Sequence, residues 1–531
     1  MRWFIKLFEQ LLSPSAERFR DALKHPEKTQ KQVQKEICDR LMKSEYGKFL
    51  GIRSLQDWSQ IPIVDYDDLK PWIYGVGEKP LTHSLQALLT NEPILFYEKT
   101  SGSRSAAKYI PYTKSLRRSF NHMFCVHAHD LIRNGPAFST GKIYFCISPQ
   151  FQDCSDLTPL PYQGRGELDF SNLDLPSLQD DSEYLDYWLR WLLHPFIISP
   201  GLVNRFRTAE EFKQKLCLAL LQAEQLETIS IWSPTFLKIN LNYIQTHRLQ
   251  LRQFLKISAE RDRLLCEPEI PWTKLWPNLK LISCWDSSCA ADQAQFLRHL
   301  FPGVMVQGKG LLATEAPMTI PLISAQGCLP LLDEVFFEFE HESGEIYLLQ
   351  ELQIGREYTI ILSQKGGLYR YRIGDRVRVT HYYLNTPCLE FLGRDHSISD
   401  LVGEKLNEEF VSEALQELAL EGTSFQCLVP ATIPEAHYIL LLDQVNAPVS
   451  AIAQQLEQFL HQSPQYHYAR LLGQLSPVEV LVSQQIPEIL TNQGIASGKK
   501  WGDIKHSLLY FQAIEEELLI RLKQADFLQK S

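Results

Sequence analysis

The run Thr100-Ser101-Gly102-Ser103-Arg104-Ser105-Ala106-Ala107-Lys108 follows the apolar stretch PILFYEK. Small hydroxyl and glycine residues leave backbone N–H groups and side-chain oxygens open to wrap phosphate oxygens, and Lys108 adds positive charge. The GxxxxGK[ST] spacing of a Walker loop is missing, so the alternative is a Ser-rich surface turn. A second run, Gly308-Lys309-Gly310-Leu311-Leu312-Ala313-Thr314-Glu315, ends in a carboxylate. Glu315 could hold Mg²⁺ beside phosphates. The competing reading is a glycine-rich joint between a strand and a turn.

Three further stretches carry charge at turn-like positions. Gly366-Gly367-Leu368-Tyr369-Arg370-Tyr371-Arg372-Ile373-Gly374-Asp375 closes on an Asp that could accept both hydroxyls of a ribose. It reads equally as a hairpin with cross-strand Tyr and Arg pairs. Gly393-Arg394-Asp395-His396 and Val402-Gly403-Glu404-Lys405-Leu406-Asn407-Glu408 sit where the composition changes, so they read as a hinge or a charged linker. Near the C-terminus, Ser497-Gly498-Lys499-Lys500-Trp501-Gly502-Asp503-Ile504-Lys505-His506 could form a mobile loop that brings lysine charge to a transferring phosphate or carboxylate. A solvated basic loop is the plainer alternative.

Other single residues offer weaker leads. His122, His127 and His129 cluster in NHMFCVHAHD, without the carboxylate pattern a metal site needs. Trp232 and Trp285 could line an aromatic acid pocket, although Trp is most often core. The signatures GxSxG, HExxH and GxGxxG are absent.

The elements that must position these residues are legible in outline. The chain has 531 residues, more than one core serves, so at least two domains are expected. Residues 1 to about 60 read as helices, with periodic apolar positions in KQVQKEICDRLMKSEYGKFL. The N-terminal run Trp3, Phe4, Leu7, Leu11 and Leu12 suits a helix lying on its own domain more than one on a membrane surface. From about 90 to 330, strand-like runs alternate with helical ones: KIYFCIS (142–148), ETISIW (227–232) before a helix start at Ser233-Pro234-Thr235, LKLISCW (279–285) before AADQAQFLRHLF, and VMVQ (304–307). That alternation indicates α/β layers. Residues 330–393 turn into short strands joined by Gly, Asn and Ser turns, a meander or small β-barrel. After Arg394 come the helix EEFVSEALQELALEG, with Gly422 as its expected cap, the strands HYILLLD and VEVLVSQ, and the helix SAIAQQLEQFLHQ. The expectation is α/β with α+β. A large domain spans 1–393, with a helical start, α/β layers and the meander at 330–393. A small α+β domain spans 394–531.

A net charge of −10 argues against broad nucleic-acid binding, which needs a basic face. Eleven cysteines without CxxC spacing suit a reduced, cytoplasmic chain. No run of about 18 apolar residues indicates a membrane span.

The order of these motifs, a TSGS loop, a Thr-Glu, a YRxGD, a GRD and a late Gly-Lys loop, resembles the adenylate-forming enzyme superfamily. Within it the wording Gly367-Leu368-Tyr369-Arg370-Tyr371-Arg372-Ile373-Gly374-Asp375, the Ile110-Pro111-Tyr112-Thr113 after the first loop and the placement of Lys405 are most similar to the auxin-conjugating (Gretchen Hagen) acyl-acid amido synthetases and their bacterial relatives. The resemblance runs from about residue 40 to 510. It implies ATP and Mg²⁺ as cofactors, adenylation of a carboxylic acid, and transfer of the acyl group to an amine, an amino acid. By the same resemblance Ser101, Gly102, Ser103 and Lys108 hold the phosphates, Thr314 and Glu315 contact the α-phosphate and Mg²⁺, and Asp375 binds the ribose. Arg394 joins the nucleotide-binding set. Lys405 sits near the nucleotide, and Lys505 approaches the reacting carboxylate, with Lys499 and Lys500 as its rivals. Cys284 to Ser287 lie near the adenine or the acyl group, beside Trp232 and Trp285. The small domain turns about a hinge near Arg394 to admit the acceptor. Two departures stand out: Arg104 and Ser105 where Thr and Gly are usual, and Leu311 where an aromatic usually faces adenine. A thiol acceptor, as in acyl-CoA ligases, and a catalytically silent ligand-binding relative are the alternatives.

Overall fold

The computed structural model describes residues 2–74, 88–99, 108–145, 187–199, 209–287, 290–394, 398–402, 404–471, 474–497, 499 and 501–530. In the helix Arg2–Lys24 the residues Phe8, Leu12, Phe19 and Leu23 turn inward, a stripe at helical spacing. The helix packs on the long helix Lys114–Asn134, as expected of a helix lying on its own domain, and leaves Trp3 and Leu11 outside. No described helix is long and apolar enough to cross a membrane.

Strands β1 (Ile94–Lys99) and β2 (Tyr109–Thr113) form an antiparallel hairpin with Lys99 opposite Tyr109. The expected phosphate loop is the connection between them. Ser101, Gly102 and Ser103, with the departures Arg104 and Ser105, lie outside the described residues.

Next come β3 (Lys142–Phe145), β4 (Leu226–Ser230), β5 (Leu281–Ser283) and β6 (Met305–Gln307), a parallel sheet in sequential order. Parallel neighbours need long crossovers, which here include the helices Ala209–Gln222, Pro234–Leu251 and Ala291–Leu300. Ile229 and Ile282 are buried among Phe212, Leu237, Leu297 and Phe301. Pro234 opens its helix behind Ser233, where a missing N–H leaves no bond unmade. At the entry end of the sheet the buried Glu227 accepts N–H bonds from Ser139, Thr140 and Gly141 at 2.7–2.8 Å and pairs with Lys280 at 2.6 Å. That end is stapled shut by these bonds. The exit ends of β4, β5 and β6 remain for chemistry, where parallel sheets usually bind ligands.

A tight hairpin, β7 (Leu312–Ala313) with β8 (Ala316–Pro317), leads to a second, β9 (Thr319–Leu322) with β10 (Gly327–Pro330). The meander follows as β11 (Val335–Glu340), β12 (Ile346–Leu348), β13 (Glu357–Gln364), β14 (Tyr371–Tyr383) and β15 (Thr386–Arg394). Its order is β12-β11-β13-β14-β15, all antiparallel. The buried positions of β14 fall at 371, 373, 375, 377 and 379, the period of two that made the strand legible. Among the described residues the ladder does not close into a barrel: β12 and β15 remain its edges, and β10 packs beside β15.

Most of the remaining chain builds an α+β unit. β16 (Ile398–Ser399) pairs with β17 (Leu406–Asn407), and the helix Glu408–Glu417 follows. That helix stops at Leu418, and Ala419 takes the left-handed conformation (φ +41°). Gly422, the expected cap, lies in a later turn. β18 (Gln426–Ala431), β19 (His437–Leu442) and β20 (Glu479–Val482) form one sheet. Leu428, Leu440 and Val480 face one apolar cluster, and Cys427, Ile439 and Leu481 the other. The unit therefore has cores of its own on both faces of its sheet.

Candidate active site

Two groups of residues gather around the segment that runs from β6 to β8. The first lies at the exit ends of the parallel strands. Trp232 follows β4 and Trp285 follows β5; the Trp285 N–H donates to the Trp232 carbonyl at 2.8 Å. Their ring centroids are 5.9 Å apart at 38°. A lysine ammonium covers each ring. Lys309 Nζ stands 5.0 Å from the Trp232 centroid and donates to Ser230 Oγ at 2.8 Å, and Lys505 Nζ stands 4.1 Å from the Trp285 centroid. Each such contact contributes about 0.5–2 kcal/mol, the more the drier the site. The four residues come from β4, β5, β6 and the far C-terminus, so only the folded chain assembles them.

The glycines flanking Lys309 have steric reasons. A Cβ on Gly308 would lie 2.1 Å from Asp286 Oδ1. Gly310 has φ +69°, and a Cβ there would meet Thr319 Oγ1 at 2.8 Å. Asp286 pairs with Arg298 at 3.0 Å, while burial pushes its carboxyl above the usual range. Burial pushes the neighbouring Cys284 thiol up to about 12, which keeps it protonated and unsuited to nucleophilic work. Ser287 is described and half-buried.

The second group surrounds Thr314 and Glu315. The pairing of Leu312 with Pro317 and Ala313 with Ala316 makes these two the turn residues of the β7–β8 hairpin. Glu315 is buried, and the Tyr371 hydroxyl lies 3.5 Å from its Oε1. Lys108 Nζ is 3.5 Å from the same hydroxyl and 5.3 Å from the Tyr66 ring centroid. The Tyr112 hydroxyl donates to the Thr314 carbonyl at 2.7 Å, fixing the turn from β2. Leu311, standing where an aromatic is usual, is buried in the large apolar core, and its N–H donates to Thr319 Oγ1 at 2.7 Å.

Asp375 is buried on the same face of β14 as Tyr371 and stands opposite Arg394 in the β14–β15 ladder. The structure thus brings Lys108, Thr314, Glu315 and Tyr371 together, with Asp375 further along the strand, and assembles Trp232, Trp285 and Lys505 separately. It does not join Lys405 to either group by any described contact. Lys405 is exposed with a left-handed backbone (φ +47°), raised on the buried Glu404, whose carboxylate accepts the N–H groups of Leu401 and Val402 at 2.7 and 2.8 Å. Among the C-terminal lysines, Lys505 meets Trp285, Lys499 is partly buried with its pKa lowered by that burial, and Lys500 lies outside the described residues.

The loop expected to be mobile is anchored. Trp501 and Ile504 are buried in the cluster of the parallel sheet, with Trp501 edge-on to Phe212 at 5.8 Å and to Phe236 at 5.4 Å. The three histidines do not converge. His122 faces Asp333 at 2.8 Å, His127 faces Gln307 at 3.3 Å and His129 faces Ser13 at 3.3 Å. Burial drives His127 down to about 4, so it is neutral at physiological pH. His122, Asp333 and Glu334 lie close enough to share a cation. Arg18 already pairs with both carboxylates, at 3.1 and 2.6 Å, and Lys365 with Glu334 at 3.1 Å. Sequence reasoning assigned no role to Tyr66, Tyr112, Ser230 or Lys309. Lys309 carried a signal as a lysine between two glycines, and Tyr112 lies in the Ile110-Pro111-Tyr112-Thr113 run.

The arrangement of layers and sheets is shared with solved structures of ligases and amido synthetases. The structure of 2-hydroxyisobutyryl-CoA ligase in its postadenylation state, with 2-HIB-AMP, shares the fold with a TM-score of 0.56 over 96% of this chain and 93% of that one, at 13% identity. The acyl acid amido synthetase AtGH3.15 in complex with 2,4-DB is more alike, with a TM-score of 0.79 over 97% and 96% at 17% identity. The chain belongs to the GH3 family, whose N-terminal domain matches residues 15–271, central domain 328–394 and C-terminal domain 407–512. Among its relatives are the indole-3-acetic acid-amido synthetase GH3.3 of Arabidopsis thaliana, 23% identical over 79% of this chain and 78% of that protein, and the jasmonoyl--L-amino acid synthetase JAR6 of Nicotiana attenuata, 22% identical over 80% of each.

Proposed function

We propose that this protein activates a carboxylic acid with ATP and transfers the acyl group to an amine, an amino acid. One observation carries the reading. A single short segment, Gly308 to Glu315, links a cluster of two tryptophans and two lysines to a buried carboxylate turn served by Lys108 and Tyr371. An apolar acid with its carboxylate near cationic charge suits the first, and a nucleotide triphosphate suits the second. Membership of a family whose named relatives are amido synthetases supports the same conclusion.

In this reading the carboxylate oxygen attacks the α-phosphorus of ATP and pyrophosphate leaves, giving an acyl-adenylate. The chain contributes mainly position and charge, since two anions must be brought together. Lys505 offers positive charge to the meeting carboxylate and phosphate. Ser101, Gly102, Ser103 and Lys108 hold the phosphates, and Asp375 and Arg394 the nucleoside end. Glu315, a buried carboxylate at an oxygen-rich turn, is the hard donor that Mg²⁺ prefers. With Thr314 it would hold the ion, which supplies charge neutralisation at the phosphoryl oxygens. Trp232 and Trp285 shape the acid site. An amine then attacks the acyl carbon and AMP departs.

Residues 1–393 act as the large domain and 394–531 as a small one that moves about a hinge near Arg394. The separate cores of the C-terminal unit support this division. Lys405, exposed on its hairpin, serves the nucleotide from the small domain once that domain has moved. The eleven cysteines show no CxxC spacing, which supports a reducing cytoplasm.

The test is the product. Incubated with ATP, Mg²⁺ and a panel of acids, the enzyme should give an amide mass with amino acids and no thioester with CoA. A thioester in place of the amide would assign it instead to the ligases that use a thiol. Neither product, with no AMP formed, would leave a ligand-binding relative.

A further inference from the structure

The contact between the C-terminal unit and the parallel-sheet layer contains a buried ion pair. Lys238, on the helix Pro234–Leu251 that follows Trp232, is 8% exposed. Its Nζ lies 2.5 Å from Asp443 Oδ2, at the end of β19, and also donates to Ser424 Oγ. It stands 5.0 Å from the Phe296 ring centroid, on the helix Ala291–Leu300. Asp443 is 3% exposed and accepts three backbone N–H groups, from Ser424 at 3.1 Å and from Phe425 and Gln444 at 3.0 Å.

Each partner is provided for when the two are parted. Asp443 keeps three N–H donors and the Ser424 hydroxyl, all from its own unit. Lys238 regains water. A buried ion pair of this kind adds little net stability, because desolvation offsets most of the Coulomb gain. What it does is exclude other seatings, since a shifted unit would bury one of the charges against apolar surface. The apolar part of the same seam, Trp501 and Ile504 against Phe212 and Phe236, supplies adhesion without direction. Lys213 and Glu488 bridge its edge at 2.9 Å, with Glu488 half-buried.

We propose that Lys238 and Asp443 form a reversible latch that seats the C-terminal unit for acid activation. Lys238 is then a positioning residue. It acts through the seam to keep Lys505 over Trp285, some distance from its own contacts, and its release accompanies acyl transfer. This rests on the adenylating role proposed above for Lys505.

The latch is tested on the full-length enzyme with Lys238→Met, Lys238→Arg and Ser424→Ala. Two quantities are measured: acid-dependent pyrophosphate release, and amide hydrogen exchange without ligand. Lys238→Met should lower kcat for adenylation at least about tenfold, with the KM for ATP within about twofold, because positioning and not nucleotide binding is lost. Exchange should quicken at 486–506 and 234–251 and stay unchanged in β11–β15. Lys238→Arg, which keeps the charge, should recover most of the rate. An unchanged kcat, or a fallen kcat without faster exchange at the seam, overturns the latch. Should Lys238→Met fail to fold, Ser424→Ala is held to the same two outcomes. Should the wild-type enzyme release no pyrophosphate with any acid, the functional reading fails, and exchange alone decides the latch: faster at the seam upholds it, unchanged overturns it.

Discussion

The ammonium of Lys505 lies 4.1 Å from the centre of the Trp285 ring, joining the last 30 residues of the chain to the exit end of β5. Trp501 and Ile504, just before it, are sunk in the core of the parallel sheet. The exposed lysine is therefore placed by its buried neighbours.

Replacing Lys505 with Ala should slow adenylate formation about 100-fold while Lys499→Ala stays within about threefold, since only the first meets the tryptophan pair and charge aimed at a transition state is worth that much. Single-turnover pyrophosphate release measures both. Equal losses at the two positions would remove the assignment.

Asp375 is buried beside the ladder partner Arg394 and on the face of β14 that carries Tyr371. Loss of charged hydrogen bonds to a ribose should raise the ATP KM about 10- to 100-fold in Asp375→Ala. Circular dichroism should match the wild type. Wild-type kinetics in a folded variant would show that the ribose binds elsewhere.

Gly308→Ala puts a methyl group 2.1 Å from Asp286 Oδ1. Overpacking of this kind costs about 1–3 kcal/mol, read as a lower urea midpoint. Because Lys309 is the next residue, the KM for the acid should rise as well. A variant with unaltered midpoint and KM would mean that Asp286 moves aside freely.

Burial holds His127 and His506 at about 4, against an unperturbed 6.5. Between these values the unfolded chain takes up protons at both imidazoles and the folded chain does not. Stability is fully present above about pH 6.5 and falls as pH drops towards 4, by up to about 1.4 kcal/mol per pH unit for each histidine. Urea midpoints between pH 7 and 5, where most carboxylates do not titrate, report this slope. His506→Asn should reduce it by about one proton's share. A slope identical to the wild type would place that histidine in contact with water.

The parts legible in the sequence are those with a local period. β14 alternates buried and open positions, and the turns around it are rich in Gly and Asn, so the meander could be read strand by strand. β4, β5 and β6 are short apolar runs followed by helical patterns. β18 escaped because Pro430 sits inside it, which argues against a central strand. It is tolerated because β18 is an edge of its sheet. The histidines looked like a cluster because they are close in sequence. At 3.6 residues per turn, His122 and His127 point roughly 140° apart, and they find different partners. The motifs around Glu315 and Asp375 were legible through residue type. The Lys505–Trp285 pair and the Lys238–Asp443 contact were not, because lysines on a helix or loop read as solvated and their partners lie about two hundred residues away.

The account depends most on acid activation. The direct measurement is pyrophosphate release with ATP, Mg²⁺ and a broad panel of aryl and aliphatic acids, with hydroxylamine present to trap the activated acyl group. The account predicts release that depends on at least one acid, a matching hydroxamate, and loss of both in Lys505→Ala. Pyrophosphate release with no acid dependence, or none across the whole panel, would contradict it.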